Sequence, residues 1–188
     1  MVGFRQMKLE NKASIHKFLK KIGQDTTDTY ALDTNLLRSL ANNPYKPGWP
    51  NGFRPVQIRT YNSQGLPVMQ WASCEGFLKD LKTFDSVPPK NRNGLDTIFN
   101  LREDLNRYST LEGKPATPRI PAGYDYYVLV YFAKYFPKLT KESFSQLKHY
   151  KARHPELKFK VYKINVDYQE NWGVDIDSPI TFHGKHEK

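Results

Sequence analysis

YDYYVLVYFAKYFPKLTKESFSQLKHYKARHPELKFKVYKINVD, residues 124–167, reads as one strand–helix–strand unit. Tyr126 to Ala133 form an unbroken apolar and aromatic run, the pattern of a central strand covered on both faces. β-branched and aromatic residues dominate the run and Pro137 follows closely, which favours strand over helix. Thr140 is placed to cap the next helix with its hydroxyl, and Leu139 and Phe144 have the spacing of a hydrophobic staple. The helix is expected to pass through Leu147 and Tyr150 and to stop before Pro155, whose ring disfavours helical geometry in the residue before it. Beyond that point the apolar side changes parity. Leu157, Phe159 and Val161 are odd-numbered while Tyr162, Ile164 and Val166 are even, so the second strand either carries a bulge or is covered on both faces. Two strands joined by a helix of this length are expected to run parallel with a right-handed crossover.

Val128 to Phe136 resembles the thioredoxin strand that leads into its Cys-Gly-Pro-Cys loop, and Ile164-Asn165-Val166-Asp167 resembles the strand end after the first helix of that fold. An ungapped match puts Pro137 and Thr140 where the two redox cysteines would be, with Lys138 and Leu139 between them, so no dithiol forms there. Pro179, in Ser178-Pro179-Ile180-Thr181, stands where such folds place a cis-proline before the next strand. The chain as a whole is similar to bacterial thioredoxin-like proteins without the dithiol, which implies a fold and no activity. The fold implied is α/β: a thioredoxin-like mixed sheet with a βαβ core and a C-terminal half that is incomplete or completed by the N-terminal half. The implied site is a partner surface made of Phe136, Pro137, Lys138, Leu139 and Thr140, facing Pro179.

The chain before this unit alternates helical patterns with one hairpin. Ile15, Phe18, Leu19 and Ile22 follow helical spacing and are closed by Gly23. Leu36, Leu37 and Leu40 suggest a second short helix after Asp33 or Thr34. A proline-, glycine- and tryptophan-rich loop follows from Asn42 to Pro55. Val56, Ile58 and Thr60 alternate with Gln57, Arg59 and Tyr61; Asn62-Ser63-Gln64-Gly65 supplies turn chemistry; and Leu66 to Ala72 returns as the partner strand. Phe77, Leu81 and Phe84 recur at helical spacing, as do Ile98, Leu101, Leu105 and Tyr108. The expected organisation is one domain: a helical extension and loop (1–55), a hairpin with helices (56–110), a connector containing Pro115, Pro118 and Pro121 (111–123), and the βαβ core (124–188). The hairpin is expected to complete the same sheet, because the last part alone is near the lower size limit for a stable core.

Composition narrows the classes of function. With 188 residues and 38% apolar content the chain can bury a real core. Its mean hydropathy of −0.71 is polar, yet 3 Trp, 12 Tyr and 11 Phe are too many for a disordered chain. No window approaches the roughly 18 to 20 apolar residues needed to span a bilayer, and Met1 to Asn11 has no apolar signal core. A cytoplasmic protein is the default expectation, and an exported or membrane-anchored one follows if the N-terminus is truncated. The single cysteine, Cys74, excludes an intramolecular disulfide. It reads either as a reactive or metal-binding thiol or as a small buried residue at a strand-to-helix junction.

Twenty-nine Lys and Arg against 19 Asp and Glu give a formal charge of +10, which favours phosphate, anionic lipid or an acidic protein as partner. The densest groups are Lys17, Lys20 and Lys21; Lys148, Lys151 and Arg153; and Lys158, Lys160 and Lys163, which make a patch if helix end and strand lie together. The alternative is an ordinary solvated surface. Tyr45, Trp49, Phe53 and Arg54 form either a stacking surface or an aromatic pin under their loop. Enzyme motifs are absent: no phosphate-binding glycine loop, no Gly-x-Ser-x-Gly elbow and no His-Glu-x-x-His helix. His183 and His186 lie in a tail, and Glu103 with Asp104, like Asp175 with Asp177, reads as solvent-facing or capping. No cofactor is implied. The expected function is a redox-inactive binding protein with a protein partner. The alternatives are a thiol-dependent enzyme using Cys74 for peroxide or thiol-exchange chemistry, and an electrostatic binder of nucleic acid or anionic membrane.

Overall fold

A computed structural model describes residues 6–42, 53–72, 100–116 and 118–175. They build an α/β architecture on a mixed sheet of six strands: β1 (Thr29–Leu32), β2 (Gln57–Asn62), β3 (Pro67–Ala72), β4 (Tyr108–Ser109), β5 (Tyr126–Phe132) and β6 (Phe159–Asn165). Four helices accompany it among the described residues, α1 (Lys12–Lys21), α2 (Thr34–Asn42), α3 (Leu101–Leu105) and α4 (Pro137–Arg153). Across the sheet the strands run β3-β2-β5-β6-β1-β4. β5, β6 and β1 are mutually parallel, while β2 is antiparallel to β5, β3 to β2, and β4 to β1.

β5 owes its central place to having no polar side. Tyr126, Val128, Val130 and Phe132 pack with Ile15 and Leu19 of α1 and Phe144, Leu147 and Tyr150 of α4. Tyr127, Leu129 and Tyr131 pack on the opposite face with Leu37 and Leu40 of α2 and Leu101 and Leu105 of α3. Each fully buried side chain of this size contributes about 1.5–3 kcal/mol. The parity change in β6 comes from coverage of both faces. Its register with β5 is continuous from Tyr126↔Phe159 to Phe132↔Asn165; Phe159 belongs to the α1/α4 core, and Tyr162 and Ile164 to the α2/α3 core.

α1 starts where Asn11 accepts from the Ser14 amide at 3.0 Å while Ser14 Oγ accepts from the Asn11 amide at 3.1 Å, a reciprocal cap. It ends ahead of Gly23, whose φ of +76° only glycine adopts without strain. In the hairpin, Asn62 Oδ1 accepts from the amides of Gln64 and Leu66 at 3.1 and 3.0 Å, so the Asn62–Gly65 turn is tied by its own first residue.

Several expectations are corrected. α4 begins at Pro137, with Phe136 before it, so Thr140 lies inside the first turns and caps nothing, and Leu139 with Phe144 is not a staple. Proline at the first helical position loses no hydrogen bond and has its φ already set, which lets the helix start earlier. The Leu101 helix stops at Leu105, and Tyr108 begins β4, paired with Leu32 of β1. The stretch 111–123 is held against the sheet: Leu111 and Ala116 are buried, Tyr127 OH donates to Pro121 O at 2.7 Å and Tyr162 OH to Arg119 O at 2.5 Å. Strands on both sides of that stretch share one sheet. Cys74, Pro179, His183 and His186 lie outside the described residues, as do Tyr45, Trp49, Phe77, Leu81, Phe84, Ile98 and Asp177.

Candidate functional site

The carboxyl end of β5 carries Phe136 to Thr140, the described part of the surface proposed from sequence. β5 leaves the sheet into α4 on one face. The chain after β6 turns to the other face, where Tyr168, Trp172 and Val174 pack with α2 and α3. Ligands of open α/β sheets favour such a point of divergence. Here it is closed by a lock of polar groups. Both carboxylate oxygens of Asp167 accept from the Lys134 amide at 2.9 Å, and Asn165 Nδ2 donates to one of them at 2.6 Å. Gln169 Nε2 donates to Asn165 Oδ1 and to Asp167 O, each at 2.7 Å. Glu10 reaches in from the segment before α1. Its amide donates to Tyr168 O at 2.7 Å, its carbonyl accepts from the Glu170 amide at 2.9 Å, and its carboxylate pairs with Lys134 Nζ and accepts from Ser14 Oγ at 2.5 Å.

Burial pushes the Asp167 carboxyl up to about 6, aided by the charge of Glu10 and opposed by the Lys134 amide and Asn165. Burial also raises the Tyr135 phenol, with Asp167 and Tyr168 acting in the same direction. A carboxyl titrating near neutrality can mark a proton-transfer site. Asp167 is only 3% exposed and its oxygens are occupied by backbone and Asn165, so its place is that of a structural lock.

Of the residues proposed as a partner surface, the structure keeps four at the surface and withdraws one. Lys138 is exposed, and Phe136, Pro137 and Leu139 are half-buried. Tyr135 and Phe136 lie ring against ring, 4.8 Å between centroids. Thr140 is fully buried; its hydroxyl donates to Ala133 O at 2.8 Å and accepts from Ala133 N at 3.2 Å, so it fixes the strand end from beneath. The junction carries no thiol.

A second buried cluster escaped sequence reading. Arg59 of β2, Asp104 of α3, Tyr61, Tyr108 and Tyr131 are each at most 2% exposed. Arg59 Nη1 donates to Asp104 Oδ2 at 3.0 Å, Tyr61 OH donates to the same oxygen at 2.6 Å, and the Tyr108 and Tyr131 hydroxyls are hydrogen-bonded to each other. Burial opposes the charge on Arg59, but Tyr131 and Asp104 outweigh it and the guanidinium holds its proton more tightly than in water. Burial and Asp104 drive the Tyr61 and Tyr108 phenols well up. Glu103, its neighbour in sequence, is exposed and forms a reciprocal cap with Asn100. Of the pair read as solvent-facing or capping, Glu103 is a cap as expected and Asp104 is instead a core ion. The only signal was that Asp104 precedes the apolar Leu105 on a short helix while Arg59 sits in an apolar strand.

The strand lysines also depart from expectation. Lys160 Nζ pairs with Asp28 at 2.8 Å and Lys163 Nζ with Asp25 at 3.0 Å, so the Lys158, Lys160 and Lys163 group is largely neutralised by the turn before β1. Phe53 packs on the α2/α3 core, as an aromatic pin would. A cavity of about 320 Å³ lies between α2 and β4, lined in part by Asp33, Arg107 and Ser109, but the Asp33 carboxylate already caps α2 at the amides of Asn35 and Leu36. Among the described residues no group of three or more His, Cys, Asp or Glu could hold a metal ion, and no helix is long and apolar enough to cross a membrane. Compared with protein-family models, curated proteins and solved structures, the chain matches none.

Proposed function

We propose that this chain is a redox-inactive, thioredoxin-like binding protein whose partner surface is the junction between β5 and α4. One observation carries the reading: Phe136, Pro137, Lys138 and Leu139 are presented at the start of a long helix on a backbone fixed by Thr140 and Asp167, with no cysteine among them. Rigid presentation lowers the ordering cost of binding, and a mixture of half-buried apolar groups with one exposed cation suits a protein partner. With one cysteine in the chain, a dithiol cycle within one molecule is excluded. The thioredoxin-like reading draws support from the parallel β5–α4–β6 unit and from hairpin β2–β3, which lies antiparallel on the other side of β5 and adds two strands to the sheet from upstream.

The test is quantitative capture by the tagged full chain beside a Lys138→Glu/Leu139→Ser variant, with thermal unfolding of both. The expected result is a protein retained in stoichiometric amount by the wild type, lost by the variant, with unfolding unchanged. Equal retention by both, or none by either, overturns the reading.

A further inference from the structure

The charge of the molecule is sorted by layer. The cations within the strands, and Lys134 just after β5, are matched: Arg59 with Asp104, Lys134 with Glu10, Lys160 with Asp28 and Lys163 with Asp25. Cations of the α1/α4 layer are not. These two helices carry nine Lys and Arg and one acidic residue, Glu142, a balance of +8 out of +10 for the whole chain. Lys12 pairs with Glu112. Lys17, Lys20 and Lys21 of α1 and Lys138, Lys141, Lys148, Lys151 and Arg153 of α4 are all exposed, and none forms an ion pair among the described residues.

The helices lie on the same face of the sheet, with the Phe18 and Phe144 rings both against Phe132, 6.4 and 6.0 Å between centroids. α4 connects parallel strands and α1 leads into a third, so both run opposite to those strands and their basic last turns, Lys20 and Lys21 with Lys151 and Arg153, fall at the same end. We infer that this two-helix face binds double-stranded nucleic acid through its backbone phosphates, without reading sequence.

The chemistry of the face selects among polyanions. Lysines outnumber arginine, which suits point contacts to phosphate and not bidentate reading of bases. A membrane surface would draw on apolar groups that enter the lipid, but Ile15, Leu19, Phe144 and Leu147 are all turned into the sheet. The large hydrophobics exposed among the described residues, Leu9 and Leu66, lie on neither helix. Single strands are held by stacking on exposed aromatic rings, and no Phe or Tyr of either helix is exposed, His149 being the one exposed ring. An acidic protein would need an apolar centre to the contact. A rigid row of phosphates needs only spaced positive charge.

The test is fluorescence anisotropy with a labelled mixed-sequence duplex of about 24 base pairs, titrated with the full chain between about 50 and 200 mM salt. Three variants are compared with the wild type: Lys17→Gln/Lys20→Gln/Lys21→Gln, Lys148→Gln/Lys151→Gln/Arg153→Gln, and a control of equal charge loss on the opposite, α2/α3 side, Arg38→Gln/Arg102→Gln/Arg119→Gln. All nine positions are exposed, and the second set lies at the far end of α4 from Pro137 to Leu139, so its failure is separable from failure of the partner-surface reading. Expected is an affinity that falls steeply with salt, weakened about tenfold or more by each helix variant with the salt slope lowered by roughly 2 to 3, and little changed by the control. Absence of duplex binding at low salt overturns the inference. So do equal losses in all three variants, tighter binding to a single strand of the same length, or binding to phosphatidylserine vesicles in place of the duplex.

Discussion

Asp167 and Asp104 show how the surroundings assign a role that the residue type leaves open. Asp167 binds its proton more tightly in the fold, near 6, than in the unfolded chain, near 3.8. Between those values the folded state holds more protons than the unfolded state, so this group's contribution is fully present below about pH 4 and is lost as pH rises through 6, by about 3 kcal/mol for a shift of two units. Asp25 acts the other way. Burial works against it, but hydrogen bonds from Thr27 and Lys163 hold it down at about 2, so its contribution is present above pH 4 and is lost as pH falls. Urea unfolding across pH 4 to 7 should therefore show the advantage of wild type over Asp167→Asn shrinking as pH rises; a gap constant in pH would mean that the carboxyl does not titrate in the lock. Asp104 has a sharper consequence, because its removal leaves Arg59 charged in the core. Asp104→Ala should lose about 3–5 kcal/mol, whereas Arg59→Met with Asp104→Leu should recover much of that, since breaking a buried pair costs more than replacing both members. The same urea titration, read at fixed pH, separates the two outcomes.

At the scale of elements, legibility follows from how much of the decision is local. β5, α4 and β6 were readable because a long apolar run, a helical stripe and a proline each act over a few residues. β1 and β4 were not: Thr29 to Leu32 and Tyr108 to Ser109 are too short for a periodic pattern, and they are strands because β6 and β1 offer unpaired edges to them. The start of α4 was misplaced for the opposite reason. A polar residue at 140 looks like a cap until the fold brings Ala133 within reach of its hydroxyl. The partner surface was legible as a position in the chain, but the withdrawal of Thr140 and the lock at Asp167 depend on contacts 7 and 33 residues away in sequence. Thr140 itself gives a test at this scale. Thr140→Val keeps the shape and leaves the Ala133 amide and carbonyl without the hydroxyl, which should cost about 1–3 kcal/mol. If the hydroxyl faced water and bonded nothing in the fold, the same substitution would cost less than about 0.5 kcal/mol, and thermal unfolding would show no clear shift.

For the whole molecule, the sheet joins segments on both sides of the proline-rich stretch, as the short C-terminal part required. β2 comes before residues 111–123 and β5 after them, yet they pair along six residues from Gln57↔Tyr131 to Asn62↔Tyr126. β5 is also paired along its whole length with β6 and is buried on both faces, so its amides can reach water only when the sheet itself opens. β4 is two residues long at an edge, held by β1 and by a single bridge to Pro115. Native-state hydrogen exchange should then sort the chain into two classes. Amides of β2, β5 and β6 that lie within the ladders exchange together, with a free energy equal to that of global unfolding, while those at Tyr108 and Ser109 exchange far sooner through local opening. Grouping is the decisive part of the prediction. Were the hairpin a unit docked on an independent βαβ core, β2 would exchange at a lower free energy than β6, and urea would lower the two with different slopes. Exchange of β2 in step with β6 requires that burial on both faces of β5 couples the two halves of the chain into one cooperative sheet.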